Sequence, residues 1–245
     1  MNTFNRYTIA ANLFTVFNGL AGIFGIVIAI FYHETLPYVP FQLLIFGELF
    51  DFLDGFLAKR APSPSKFGVY ADSVSDVITF AILPGIMILK TNLIGTNETG
   101  MLIFLPLLIA GFYTISGWIR LIRFASNPTS VYFEGLPSPA AALLIGASAT
   151  ISTINELPWL FGEDGFLLSI LAISSGILMV LVINYPTPKR GQKADLTLIG
   201  VAGVIVISYL IFPGILTLIM ILSMSLFYTI VGPLYLNYTS RSKSK

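Results

Sequence analysis

This chain has no cysteine, one histidine and very little charge: Asp, Glu, Lys and Arg together make up 10% of its 245 residues. Without cysteine there is no disulfide, no thiolate nucleophile and no Cys-ligated zinc. The lone His33, set in a His-Glu-Thr turn, cannot build a multi-histidine metal centre. A soluble domain would carry roughly 25% charged residues, whereas here 56% of the chain is hydrophobic and the mean hydropathy is +0.86. A net charge of +1 leaves no global field for binding nucleic acid. The composition is that of an all-α polytopic membrane protein.

Long apolar runs are what the chain has instead. At about 20 residues per span, they predict eight transmembrane helices, near 9–32, 39–58, 67–89, 101–122, 137–155, 165–184, 196–212 and 215–236. Residues 1–245 read as a single integral-membrane domain, with core helices over about 9–186 and two additional helices over about 196–236. The first run is too long for a signal-peptide core and lacks a small-residue exit. Pro84 and Pro106 predict kinks in the third and fourth helices.

Placing both termini in the cytoplasm puts Arg6, Lys59, Arg60, Lys66, Arg120, Arg123, Lys189, Arg190, Lys193, Arg241, Lys243 and Lys245 inside. Only Lys90 is left outside, with Glu34, Glu98, Glu156, Glu163 and Asp164. The positive-inside rule favours that orientation.

Against this apolar background, residues 51–76 read DFLDGFLAKRAPSPSKFGVYADSVSD. Asp51 and Asp54 are three apart and Asp72 and Asp76 four apart, so each pair shares one helix face. Two facing helices would then build a four-carboxylate cluster at the cytoplasmic end. Acids at membrane depth are costly and point to function, and hard cations such as Mg²⁺ or Mn²⁺ take oxygen ligands. Gly55, Ala58 and Gly68 remove bulk beside the acids and open room for a ligand. Glu48, one turn before Asp51, is either a buried protonated side chain or a partner that supports a metal ligand.

With its spacing, the stretch is D-x2-D-G-x2-A-K-x8-G-x3-D-x3-D. It resembles the motif of the CDP-alcohol phosphotransferase family, D-x2-D-G-x2-A-R-x8-G-x3-D-x3-D, and departs from it only at Lys59. Lysine offers a point charge where arginine offers a planar fork, and Arg60 lies about 100° further around the helix. The resemblance implies a six-helix core, two divalent cations (Mg²⁺ or Mn²⁺) on Asp51, Asp54, Asp72 and Asp76, and Asp76 as a ligand or as the general base. It places the CDP moiety beside Gly55, Ala58, Lys59 and Gly68. Asn12 and Thr15, three apart on the first helix, could reach the nucleotide or simply pack between helices. The resemblance also implies a homodimer.

Three flanking stretches look like the phosphatidylserine synthase branch of that family: Asn12-Leu-Phe-Thr15-Val-Phe-Asn18-Gly19, Asp72-Ser-Val-Ser-Asp76, and Arg120-Leu-Ile-Arg123 followed by Gly135-Leu-Pro-Ser-Pro. Relatives often carry a basic residue just before the Tyr-Pro that ends the sixth helix, and here it is Asn184. The reaction implied moves the phosphatidyl group of CDP-diacylglycerol, or of ether-linked CDP-archaeol, to L-serine, giving phosphatidylserine or archaetidylserine and CMP. Arg120 and Arg123 could bind the lipid phosphate or the serine carboxylate, or anchor the topology. Glycerol 3-phosphate or inositol phosphate is an alternative acceptor. A transporter or cation channel is disfavoured, because the acids lie at one end of their helices, whereas a permeation path needs polar groups across its depth.

Overall fold

The computed structural model describes residues 6–61, 66–94, 104–126, 133–154, 157, 165–186 and 203–242. In chain order the helices are α1 (Arg6–Phe31), α2 (Val39–Ala58), α3 (Lys66–Asp76), a π-helical turn (Val77–Ile82), α4 (Leu83–Ile94), α5 (Phe104–Ser126), α6 (Ser138–Ile154) and α7 (Phe166–Val180). After them come α8 (203–211) and α9 (Ile215–Ser242). Two-residue strands β1 (Phe133–Glu134) and β2 (Asn184–Tyr185) pair antiparallel, Phe133 opposite Tyr185 and Glu134 opposite Asn184.

Four helices are long and apolar enough to cross a membrane: Arg6–Phe31, Phe67–Leu93, Phe104–Ala125 and Ile215–Tyr235. α6 and α7 are shorter apolar helices, and the 20 residues of α2 include Glu48, Asp51 and Asp54. The protein is thus all-helical with at least four candidate spans among the described residues, a coarser count than the eight expected. The region expected to form the seventh span, 196–212, is described only from 203. Lys189, Arg190, Lys193, Glu98, Glu156, Glu163 and Asp164 lie outside the described residues.

α6 is the central element. Small residues, including Ala141, Ala142, Gly146, Ala147 and Ala149, let its neighbours approach, and twelve of its seventeen residues are buried. A Cβ on Gly146 would come within 2.5 Å of the Phe41 ring of α2. Hydroxyls inside this apolar packing are satisfied locally: Ser148 donates to the Leu144 carbonyl and Thr150 to that of Gly146, each one turn back. Large apolar side chains such as Phe24, Phe52, Leu108 and Phe227 point outward, where a bilayer would solvate them.

Pro84 produces a π-turn rather than a simple bend. With no N–H, it leaves the Phe80 carbonyl, four residues earlier, without its helical donor. The chain widens just before it, and the Leu83 amide bonds the Ile78 carbonyl, five residues back. Side chains of α5 supply donors instead: the Tyr113 hydroxyl to the Phe80 carbonyl at 3.4 Å and the Thr114 hydroxyl to the Ala81 carbonyl at 3.3 Å. Pro106 falls in the first turn of α5 as described, where no intrahelical donor is required of it, and residues 101–103 before it lie outside the described residues. α7 stops at Val180, short of the expected 184, and the chain becomes extended into β2.

Candidate active site

The first turns of α1 and α3 and the last turn of α2 meet at one end of the bundle, around a cleft of about 110 Å³. Asn12 and Thr15 of α1, Asp54, Gly55 and Ala58 of α2, and Gly68 and Asp72 of α3 all line it. A Cβ built on Gly55 would meet nothing within 4 Å. This glycine therefore serves the open space of the cleft and not a helix contact.

Behind the cleft, carboxylate oxygens of Asp51, Asp72 and Asp76 lie within 4.8 Å of one another. Asp54 stands on the cleft side and accepts a hydrogen bond from the Thr15 hydroxyl at 2.7 Å. Asp76 accepts one from the Asn18 side-chain amide at 3.1 Å. Glu48, one turn deeper on α2, is within electrostatic reach of Asp51. Three converging carboxylates in a half-buried place repel one another unless cations or protons intervene. They form the all-oxygen donor set that Mg²⁺ or Mn²⁺ takes, so the residues present fit a divalent metal.

The carboxylates are held by tight contact between α1 and the α3–π segment. Ser75 donates to the Thr15 carbonyl at 3.0 Å and Thr79 to the Asn18 carbonyl at 3.1 Å. Such approach needs glycine: a Cβ on Gly19 would lie 2.8 Å from Ser75 Oγ, and one on Gly22 2.5 Å from Thr79 Oγ1. Gly47 does the same from α2, where a Cβ would sit 2.5 Å from Thr79 Cγ2 and 3.0 Å from Asn18 Oδ1. Asn18 was not singled out as a site residue by sequence, although Asn12, Thr15 and Asn18 form a polar i, i+3, i+6 stripe that signals it.

The cations divide into two kinds. Lys59 follows the last turn of α2 and its side chain is exposed, while the Arg60 guanidinium stacks on Phe56 at 4.0 Å. Arg123 is spent on backbone: it donates to the carbonyls of Val180 (2.9 Å), Met179 (2.9 Å) and Glu134 (3.1 Å). Two of these are the orphan carbonyls at the end of α7, where a cation also suits the helix dipole.

Arg120 is only 5% exposed. It donates to Ser138 Oγ at 3.1 Å and lies beside the rings of Phe124 (5.2 Å) and Phe133 (5.8 Å). Its Nε is buried without a hydrogen-bond partner, and the Asp76 carboxylate is within electrostatic reach of the guanidinium. Gly135, in the left-handed region at φ +78°, turns the chain from β1 towards α6 and donates its amide to the Ile183 carbonyl at 2.8 Å.

Comparison with known proteins bears on what this arrangement does. Residues 8–184 match the CDP-alcohol phosphatidyltransferase family. A CDP-diacylglycerol–serine O-phosphatidyltransferase of Helicobacter pylori is 32% identical over 183 residues, covering 73% of this chain and 72% of that protein. One from Methanocaldococcus jannaschii is 34% identical over 146 residues, 60% of this chain and 63% of the relative. The archaetidylserine synthase of Methanothermobacter thermautotrophicus is 29% identical over 147 residues, 59% and 56% respectively.

Proposed function

The chain belongs to the CDP-alcohol phosphatidyltransferase family, and we propose that it moves the phosphatidyl group of CDP-diacylglycerol, or of CDP-archaeol, to the hydroxyl of L-serine, releasing CMP. The observation that carries this reading is the Asp51–Asp72–Asp76 triangle, in which Asp76 is held by Asn18 and a buried, incompletely bonded arginine is within electrostatic reach of it. Loop charges favour a cytoplasmic active site, open to CDP-activated lipid of the inner leaflet and to cytoplasmic serine.

The cleft bounded by Asn12, Gly55, Ala58 and Gly68 receives the cytidine diphosphate, and exposed Lys59 is free to turn to its phosphates. Asp51, Asp54, Asp72 and Asp76 would hold two divalent cations, Mg²⁺ or Mn²⁺, whose charge neutralises the diphosphate and the leaving CMP. Arg120 takes the acceptor's carboxylate on its free donor, since Arg123 is committed to three carbonyls. The serine hydroxyl oxygen attacks the lipid-side phosphorus, and Asp76 takes its proton. The new P–O bond forms as the bond to CMP breaks, and CMP departs with the bonding electrons.

The test is CMP release by purified protein given CDP-lipid and Mg²⁺ or Mn²⁺, with L-serine, glycerol 3-phosphate or inositol phosphate in turn. Serine-dependent release is the expected result. Release only with a phosphorylated acceptor would move the protein to another branch, and no release with any acceptor would revive the transporter reading.

A further inference from the structure

The support of Arg120 extends into a helix that lies beyond the residues matched to the family, which end at 184. α9 and the end of β2 with the proline that follows it exchange two hydrogen bonds. The Tyr228 hydroxyl of α9 donates to the Pro186 carbonyl at 3.1 Å, and the Tyr185 hydroxyl donates to the Thr229 carbonyl at 3.3 Å. The second bond exists because of Pro233, four residues after Thr229 inside the same helix. Proline has no N–H to give back to Thr229, so that carbonyl is open to a side-chain donor, as Phe80 is to Tyr113. The Tyr185 and Tyr228 rings lie 5.7 Å apart, and Tyr185 is fully buried. At Gly232 a Cβ would come within 3.1 Å of Pro186, which shows how closely α9 lies on this segment.

On its other side the same segment carries the wall of the Arg120 site. Tyr185 pairs with Phe133 across the two-stranded ladder, and the Ile183 carbonyl holds Gly135. The Phe133 ring packs tilted against Phe124, centroids 6.0 Å apart, and lies 5.8 Å from the Arg120 guanidinium. From α9 through β2 and β1 to Arg120 the contacts are unbroken, and Tyr228 is itself within electrostatic reach of Arg120.

We propose that Tyr228 is a positioning residue for the acceptor. Together with Tyr185 it latches α9 to the β1–β2 ladder and so fixes the Phe133 ring against Arg120, keeping the free Nε of that arginine in register for the acceptor's carboxylate. This rests on the reading of Arg120 as the acceptor's anchor. It gives α9 a part in acceptor affinity that its distance in sequence from the carboxylate motif does not suggest.

The experiment uses the full chain and the Tyr228→Phe variant, which keeps the ring and loses the bond to Pro186. CMP release is titrated with L-serine at saturating CDP-lipid, then with CDP-lipid at saturating serine. Loss of one hydrogen bond in the latch is expected to raise the KM for serine about fivefold, with kcat and the KM for CDP-lipid changed less than about twofold. An unchanged serine KM overturns the proposal, as does an equal rise in both KM values, which would mark general loosening. Should Tyr228→Phe fail to fold, Phe133→Leu carries the same test, since it removes the ring beside Arg120 and leaves both α9 bonds in place. If the wild type releases CMP only with a different acceptor, the serine reading falls and the latch is judged by the KM for that acceptor. No release with any acceptor overturns both.

Discussion

Thr15 of α1 donates its hydroxyl to Asp54 of α2 at 2.7 Å, across the interface of two helices that each line the cleft. Sequence leaves Thr15 either a nucleotide contact or a helix-packing group; it lines the cleft and also bonds a carboxylate that would bind metal. A ligand carboxylate is usually steered by such a partner, and losing it commonly costs about 10- to 100-fold in metal affinity or activity. Thr15→Val, close in shape but without the hydroxyl, should therefore raise the Mg²⁺ or Mn²⁺ concentration for half-maximal CMP release by about tenfold or more. Metal titration of the purified variant checks it. An unchanged half-maximum would mean that Asp54 needs no orienting bond.

Gly47 makes a second, purely steric prediction. A Cβ there would lie 2.5 Å from Thr79 Cγ2 and 3.0 Å from Asn18 Oδ1, so Gly47→Ala must displace one of them. Overpacking of this kind costs about 1–3 kcal/mol, and it acts on the residue that holds Asp76. The variant should show a lower unfolding temperature and reduced turnover. Thr79→Ser removes the nearer methyl and keeps the hydroxyl bonded to the Asn18 carbonyl. The double variant should recover part of the stability, a coupling that two independent sites would not show.

The carboxylates were legible in the sequence because their message is one of spacing. Asp51 with Asp54, and Asp72 with Asp76, share one face of their own helix by spacing alone, and α2 spans 39–58 as its apolar run suggests. The π-turn was not legible, because an extra residue in one turn hardly disturbs an apolar pattern, and the donors that accommodate it, Tyr113 and Thr114, come from another helix. The β1–β2 ladder was hidden for a similar reason. Residues 181–184 are apolar enough to extend α7, but the helix ends where Arg123 takes its last carbonyls, a contact made across 56 or more residues of chain.

Arg120 and Arg123 looked equivalent in sequence, three apart on one face, and their surroundings separate them. Lysine cannot reproduce the three-carbonyl fork of Arg123, so Arg123→Lys should mainly lower the unfolding temperature. Arg120→Lys keeps the charge and loses the planar donor set beside Phe124 and Phe133. It should raise the KM for serine by about tenfold with a smaller effect on stability. Thermal melts and serine titrations of the two variants side by side decide it; matching behaviour would remove the distinction drawn between them.

Asp76 is the residue on which the chemistry turns. It sits in the triangle with Asp51 and Asp72, accepts from Asn18, and is within electrostatic reach of Arg120. Asp76→Asn is nearly isosteric and can neither accept the hydroxyl proton nor carry the negative charge. Turnover should fall by at least about 10³-fold, within the range ascribed to a missing general base, while CDP-lipid binding, measured on the purified variant with Mg²⁺ present, survives largely intact. Asp51→Asn should differ by losing binding together with turnover, because its carboxylate faces the metals alone in the proposed mechanism. Chelation of divalent metal with EDTA should mimic Asp51→Asn and be reversed by added Mg²⁺ or Mn²⁺. If Asp76→Asn loses CDP-lipid binding as completely as Asp51→Asn does, Asp76 is an indispensable ligand, and the proton acceptor must be sought elsewhere.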